Sequence, residues 1–270
     1  MPFIPFHDNN PPQRTPVVTY ALLAINVLVF LLVSRMSEPQ REVFAYRHGF
    51  VPARILQLSQ PRPIFVPIDV AVVHPFWGEQ VQRQTVELDP VPRQIWLSLF
   101  TCMFIHGSWM HLLGNLWFLW LFGNNVENRL GPFWYLFLYL VGGILASGAH
   151  WAVDRTSLMP IIGASGAIAA VLGAYAIAWP WARVSTLVFL VIFVTVIEVP
   201  ALVVLGVWFL AQVMAGQESL HATGSSGVAW WAHVGGFLAG MVLMPLLSAI
   251  VGGREREEEK KGPGATANGD

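Results

Sequence analysis

Apolar runs long enough to cross a bilayer, about 20 residues each, alternate along this chain with polar segments. The first runs from Pro16 to Ser34. A long polar stretch, 35–94, follows and is rich in Pro and Arg. Its piece IFVPIDVAVVHPFWG (64–78) is apolar but broken by Pro67 and Pro75, which predicts an interfacial segment rather than a span. The next run, 95–123, is too long for one straight span and is interrupted by His106, Gly107 and Ser108. It predicts a shallow or re-entrant segment over 95–107 and a helix over 109–128. Spans follow at 132–153 and 163–180. Between Val184 and Met214 the sequence Glu198-Val199-Pro200 divides another long run. The first half predicts membrane-surface or re-entrant structure, and 200–215 a span. The last span is 228–251.

This pattern predicts an all-α membrane protein, a bundle of six transmembrane helices with a long external first loop. An N-terminal segment (1–15) precedes the membrane domain (16–252), and a charged, then Gly/Ala-rich tail (253–270) reads as disordered.

Composition agrees. The chain is 55% hydrophobic and 11% charged, against about 25% charged in soluble domains, with a mean hydropathy of +0.56. A net charge of −1 leaves no footprint for nucleic acid. A single cysteine, Cys102, excludes an internal disulfide. The opening MPFIPFHDNNPPQR lacks the basic start and apolar run of a secretory signal. Six spans put both termini on one side. Arg14, Arg129, Arg183, Arg254, Arg256, Lys260 and Lys261 then lie on that side, and among short loops only Arg155 lies opposite. The positive-inside rule makes the terminal side cytoplasmic, in a multi-pass protein of the cell membrane, with Ser165, His111 and His233 towards the external face.

Polar side chains inside spans mark candidate chemistry. His111 and Asn115, four apart, share one helix face. His106 lies just upstream, at the interface. Ser165 opens the fourth span between Gly163 and Gly166, and His233 heads the last span before Gly235, Gly236 and Gly240. Taken singly, each has a plain structural reading. The glycines, with the small face Gly166, Ala170 and Gly173 or Ala174, allow close helix packing; a helix serine bonds its own backbone; Glu127 pairs with Arg129 at the interface. Together they are the parts of an acyl-transfer site: a serine, a histidine base within reach, and side-chain donors for an oxyanion. The H-E-x-x-H zinc motif is absent, and His106 and His111 point about 140° apart around a helix, so no metal site is expected. The spans hold no aspartate or lysine, which excludes a paired-aspartate site and a Ser-Lys dyad. A Ser-His dyad remains.

These residues resemble the rhomboid family of intramembrane serine proteases. The matching motifs are GASG (163–166), HLLGN (111–115), FIHGSWMH (104–111) and HVGG (233–236), in order on successive spans, with LFGNNVENRLG (121–131) similar to the turn after the family's second span. The resemblance implies a six-helix bundle with a water-filled cavity and no cofactor. It implies Ser165 as nucleophile and His233 as base and then acid. His111, Asn115 and the Ser165 backbone N–H would form the oxyanion hole, His106 would organise the external loop, and Gly163 and Gly166 would leave room over the serine. Transmembrane protein substrates would reach the site laterally from the lipid bilayer, with Trp117, Phe118 and Trp208 as gate candidates. Two departures stand out. The family's Trp-Arg pair before the second span is replaced by Leu97 and Ser98. The aromatic residue that stacks on the histidine is replaced by Ala169, so another group must orient His233. Two non-proteolytic alternatives are a rhomboid-like adaptor that binds client helices and a transporter with a His/Asn-lined path.

Overall fold

The computed structural model describes residues 3–10, 14–74, 78–190, 193–221 and 228–261. Among the described residues, seven α-helices carry most of the mass: α1 (Val17–Ser34), α2 (Glu38–His48), α3 (Pro92–Thr101), α4 (Trp109–Val153), α5 (Ser165–Ala178), α6 (Ala201–His221) and α7 (Trp230–Lys261). Four of them, α1, α4, α6 and α7, are long and apolar enough to cross a membrane, and α5 is a shorter apolar helix.

Helix α4 is two arms joined at Gly131, whose φ of 75° and ψ of 163° break the helix. Glycine tolerates that left-handed turn, and Pro132 then suits the first position of the second arm. The arms fold back on each other. The hydroxyl of Tyr135 lies 2.6 Å from where a Cβ on Gly123 would be, whereas in a straight helix those residues sit about 18 Å apart.

Helix α5 is the centre of the bundle, with Ala167 through Ala176 all buried. Its close contacts are made by one face of small residues, Gly166, Ala170 and Gly173. A Cβ on Gly173 would strike the carbonyl of Phe237, and one on Gly240 would strike the carbonyl of Ala170, so α5 and α7 touch backbone to backbone. Helix α1 buries one stripe, Thr19, Leu22, Asn26, Phe30 and Val33. Its opposite apolar face, including Ile25, Leu28 and Leu32, is exposed.

The expectation of an all-α chain is corrected by two small sheets. Strands β2 (Ile64–His74) and β3 (Gly78–Leu88) form an antiparallel hairpin, with Val66 opposite Val86. Val66, Ile68 and Val70 alternate into a small separate core with Tyr46, Val51, Ala53, Val86 and Leu88. Pro67 is tolerated because a two-stranded hairpin has only edge strands. The described residues of 35–94 therefore hold a helix, a hairpin and a 3-10 turn (Pro52–Leu58). Arg54 is buried among them and donates to the carbonyl oxygen of Asp89 at 2.9 Å.

The second sheet is β1 (Phe3–Asp8), β4 (Arg183–Leu190) and β5 (Phe193–Pro200), in the order β1-β4-β5. The segment expected to be membrane-surface or re-entrant is thus a β-hairpin, and the N-terminal segment supplies its third strand. Asp8 anchors that strand to the bundle. Its buried carboxylate accepts hydrogen bonds from Asn125 and from the Tyr175 hydroxyl, both at 2.7 Å. Helix α7 continues to Lys261, into the stretch read as a disordered tail; residues 262–270 lie outside the described residues.

Candidate active site

Ser165 is the first residue of α5, so its hydroxyl sits where the helix still has unpaired backbone N–H groups and a partial positive charge. The chain reaches it through Gly163, whose φ of 119° is a conformation that side chains rarely adopt. A Cβ at Gly163 would also lie 2.5 Å from Nε2 of His111. The space left by this glycine is thus filled by the imidazole of His111. The space at Gly166 is filled by Ala146, whose Cβ lies 2.8 Å from the missing one.

The close contact of α5 and α7 carries His233 to Ser165. Nε2 of His233 lies 2.8 Å from the serine Oγ. On the other side of the ring, Nδ1 lies 2.7 Å from Oε1 of Gln212 on α6. The rings of Trp208 and Trp230 flank the imidazole, each with its centroid 6.0 Å away. Gln212 and these indoles surround the histidine on which the resemblance expects an aromatic residue at position 169.

Around this pair is a cavity of about 710 Å³, lined by His111, Asn115, Phe118 and Trp208 together with Ser165 and His233. Ser108 caps α4 by accepting from the His111 N–H at 3.2 Å, which sets the first turn that carries His111 and Asn115. Asn115 donates its amide to the His111 carbonyl at 2.9 Å. His106 is buried beside His111, ring centroids 5.0 Å apart, and its Nε2 accepts from the backbone N–H of Ala164 at 3.4 Å, one residue before the serine. Of the expected gate residues, Phe118 and Trp208 line the cavity. Trp117 does not, and its indole donates to the Pro5 carbonyl at 2.7 Å.

The described residues of 35–94 bear on the same loop. Phe50 and Ile161 exchange backbone hydrogen bonds of 3.0 and 2.8 Å, and Ala53 donates to the Ser157 carbonyl at 3.0 Å. The segment leading to Ser165 is thereby held from above by a unit with its own core.

Two residues take places that reading the sequence missed. Gln212 is one, and its signal in the sequence is an amide inside an apolar span, one helix before His233. Glu127 does not pair with Arg129. Its carboxylate accepts from the backbone N–H groups of Val18 and Thr19, at 2.8 and 2.7 Å, and from the Thr19 hydroxyl at 2.8 Å. It therefore caps the start of α1, where Pro16 offers no side-chain cap. Arg129 lies instead over the Trp179 ring, 5.7 Å from its centroid. Among the described residues, no cluster of His, Cys, Asp and Glu fit to hold a metal is found.

The sequence matches the rhomboid domain family over residues 92–250. It is similar to Rhomboid-like protein 11, chloroplastic, of Arabidopsis thaliana, 33% identical over 180 residues, which are 62% of this chain and 58% of that protein. It is also similar to Rhomboid protein 1, mitochondrial, of Saccharomyces cerevisiae, 30% identical over 171 residues, 61% of this chain and 45% of that one. A shorter match, 31% over 97 residues, links it to Presenilin-associated rhomboid-like protein A, mitochondrial, of Danio rerio, covering 35% of this chain and 25% of that protein. The matched part of the chain spans between about a quarter and three fifths of the length of these relatives.

Proposed function

Because this chain belongs to the rhomboid family, we propose that it is a membrane-embedded serine endopeptidase that cuts transmembrane proteins with Ser165 and His233. The observation that carries this reading is the 2.8 Å approach of His233 Nε2 to Ser165 Oγ at the wall of the cavity. That distance lets the imidazole accept the hydroxyl proton as Oγ attacks a peptide carbonyl.

The reaction follows from the placement of the groups. Oγ bonds to the carbonyl carbon, the proton passes to Nε2, and negative charge develops on the carbonyl oxygen. On this reading three groups at the cavity would donate to it: the His111 ring N–H, the second amide hydrogen of Asn115, and the backbone N–H at the start of α5. Donors already fixed in place stabilise that charge more than solvent, which must reorient at the moment of reaction. The imidazolium then returns its proton to the leaving amine, and the C–N bond breaks. A water molecule in the cavity then attacks the acyl-serine and gives a proton to His233, the C–Oγ bond breaks as Oγ takes that proton back, and the second product leaves as a carboxylic acid that ionises in solvent.

Six apolar segments, with the two arms of α4 counted separately, would cross the bilayer and leave both termini on one side. Helix α5 has 14 residues and rises roughly 21 Å, short of the roughly 30 Å hydrocarbon thickness. Ser165 would then be recessed from the external face, at the bottom of a cavity deep enough for water and an unwound substrate segment. Phe118 on the first arm of α4 and Trp208 on α6 would flank lateral access, since both border the cavity.

The test is cleavage of a reporter with one transmembrane segment, in detergent and in vesicles. Ser165→Ala and His233→Ala should each abolish cleavage while thermal unfolding stays close to wild type. Full cleavage by Ser165→Ala would refute the reading. A folded wild type that binds client helices and cuts none would favour the adaptor.

A further inference from the structure

His233 can accept the Ser165 proton only when Nε2 carries its lone pair, which requires the other proton to sit on Nδ1. What sets that tautomer is on α6. Gln212 is 6% exposed, and its Oε1 lies 2.7 Å from Nδ1 of His233. The amide cannot be reversed without loss, because its Nε2 donates to the carbonyl of Trp208, one turn back, at 3.3 Å. A reversed amide would set two acceptor oxygens against each other and two donors against each other if Nδ1 kept its proton. With the oxygen turned to the ring, Nδ1 must donate. Nε2 is left as the acceptor that faces Oγ at 2.8 Å.

We propose that Gln212 is a positioning residue that holds His233 as the Nδ1–H tautomer and fixes the plane of its ring towards Ser165. This rests on the serine-protease reading above. It also answers the absence of an aromatic residue at Ala169. In a Ser-His-Asp triad the same place is held by a carboxylate. Here the partner is neutral, and the surroundings give the reason. The site lies among apolar helices, where a buried carboxylate carries a large desolvation penalty. It would also tend to keep a second proton on the imidazole, leaving no lone pair for the serine. A neutral amide orients the ring without a standing charge.

The experiment compares wild type, Gln212→Met, which nearly preserves volume but lacks a strong acceptor, and Gln212→Glu, which keeps an oxygen. The ¹⁵N spectrum of the ring, assigned among the eight histidines by comparison with His233→Ala, reads the tautomer directly. Wild type should show Nδ1–H. Gln212→Met should show a mixture, with kcat lowered about 10- to 100-fold and KM nearly unchanged; Gln212→Glu should keep Nδ1 protonated but hold a second proton on Nε2, so that its activity appears only at higher pH than in wild type. A role confined to filling the bundle would move thermal stability and leave the tautomer alone. Wild type showing Nε2–H, or Gln212→Met keeping both the wild-type tautomer and kcat, would overturn the proposal. Should Gln212→Met fail to fold, the wild-type spectrum still decides it. If Ser165→Ala is inactive while the spectrum lacks Nδ1–H, only the role of Gln212 falls. If Ser165→Ala still cleaves, the dyad reading falls with it.

Discussion

Replacing Gly240 with alanine should slow the enzyme although the residue touches no substrate. A Cβ there would lie within the contact shell of the Ala170 carbonyl oxygen, 2.6 Å from the carbonyl carbon and 2.8 Å from Cα. Ordinary carbon contacts sit at about 3.5–4.0 Å, and the obstacle is backbone, which cannot rotate away. Helix α7 must therefore retreat from α5 by about 1 Å locally. His233 lies about two turns up the same helix. If it moves with α7, its 2.8 Å contact with Ser165 opens to roughly 3.8 Å, beyond a useful hydrogen bond. A misplacement of that size lowers rates about 100-fold, and the overpacking costs about 1–3 kcal/mol. The assay is kcat/KM on a transmembrane reporter together with thermal unfolding in detergent. Gly206→Ala on α6 is the control, since nothing lies within 4 Å of its added Cβ, and it should cleave at the wild-type rate. A Gly240→Ala protein with wild-type kcat/KM would refute the claim that this glycine contact sets the dyad distance.

Three further outcomes follow from the same geometry. His111→Ala should lower kcat about 100- to 1,000-fold with little change in KM, as removal of an oxyanion donor does; steady-state kinetics would show it, and a loss confined to KM would contradict it. Glu127→Ala strips three hydrogen bonds from the start of α1 and should cost about 2–4 kcal/mol by thermal or denaturant unfolding, while Arg129→Ala should cost much less. Asp8 is outside the spans, and burial raises its carboxyl above the ordinary value, against opposing hydrogen bonds from Tyr175, Asn10 and Asn125. A raised acid stabilises the fold most in its protonated form, and that contribution fades as pH rises through the folded-state value. Wild type should therefore gain on Asp8→Asn as pH falls from neutrality towards about 4, read as the difference in Tm; a constant difference would contradict the assignment.

The apolar helices and the polar groups within them were legible because each stands out against its surroundings. Ser165, His233, His111 and Asn115 were all named from spacing and span position, and the structure brings them to one cavity. The small-residue faces of α5 and α7 likewise announced a close approach. The strands were hidden for a different reason. In 64–74 the alternation of Val66, Ile68 and Val70 is masked by apolar Phe65 and by Pro67, which reads as a breaker until an edge position excuses it. Strand β1 pairs with residues 184–188, a partner no local pattern indicates. Glu127 illustrates the same limit: a nearby Arg129 suggested an ion pair, while its actual partners on α1 lie 108 and 109 residues away. Gln212 has no histidine four residues away in its own span, as Asn115 has in His111, and its place one helix before His233 is readable only once the helices are packed.

The most direct measurement is covalent labelling of the purified protein in detergent by a fluorophosphonate, with the modified residue mapped by mass spectrometry. The dyad at 2.8 Å predicts one adduct, on Ser165, formed by wild type and lost in His233→Ala. A folded wild type that takes no label on Ser165, or that labels equally well without His233, would contradict it.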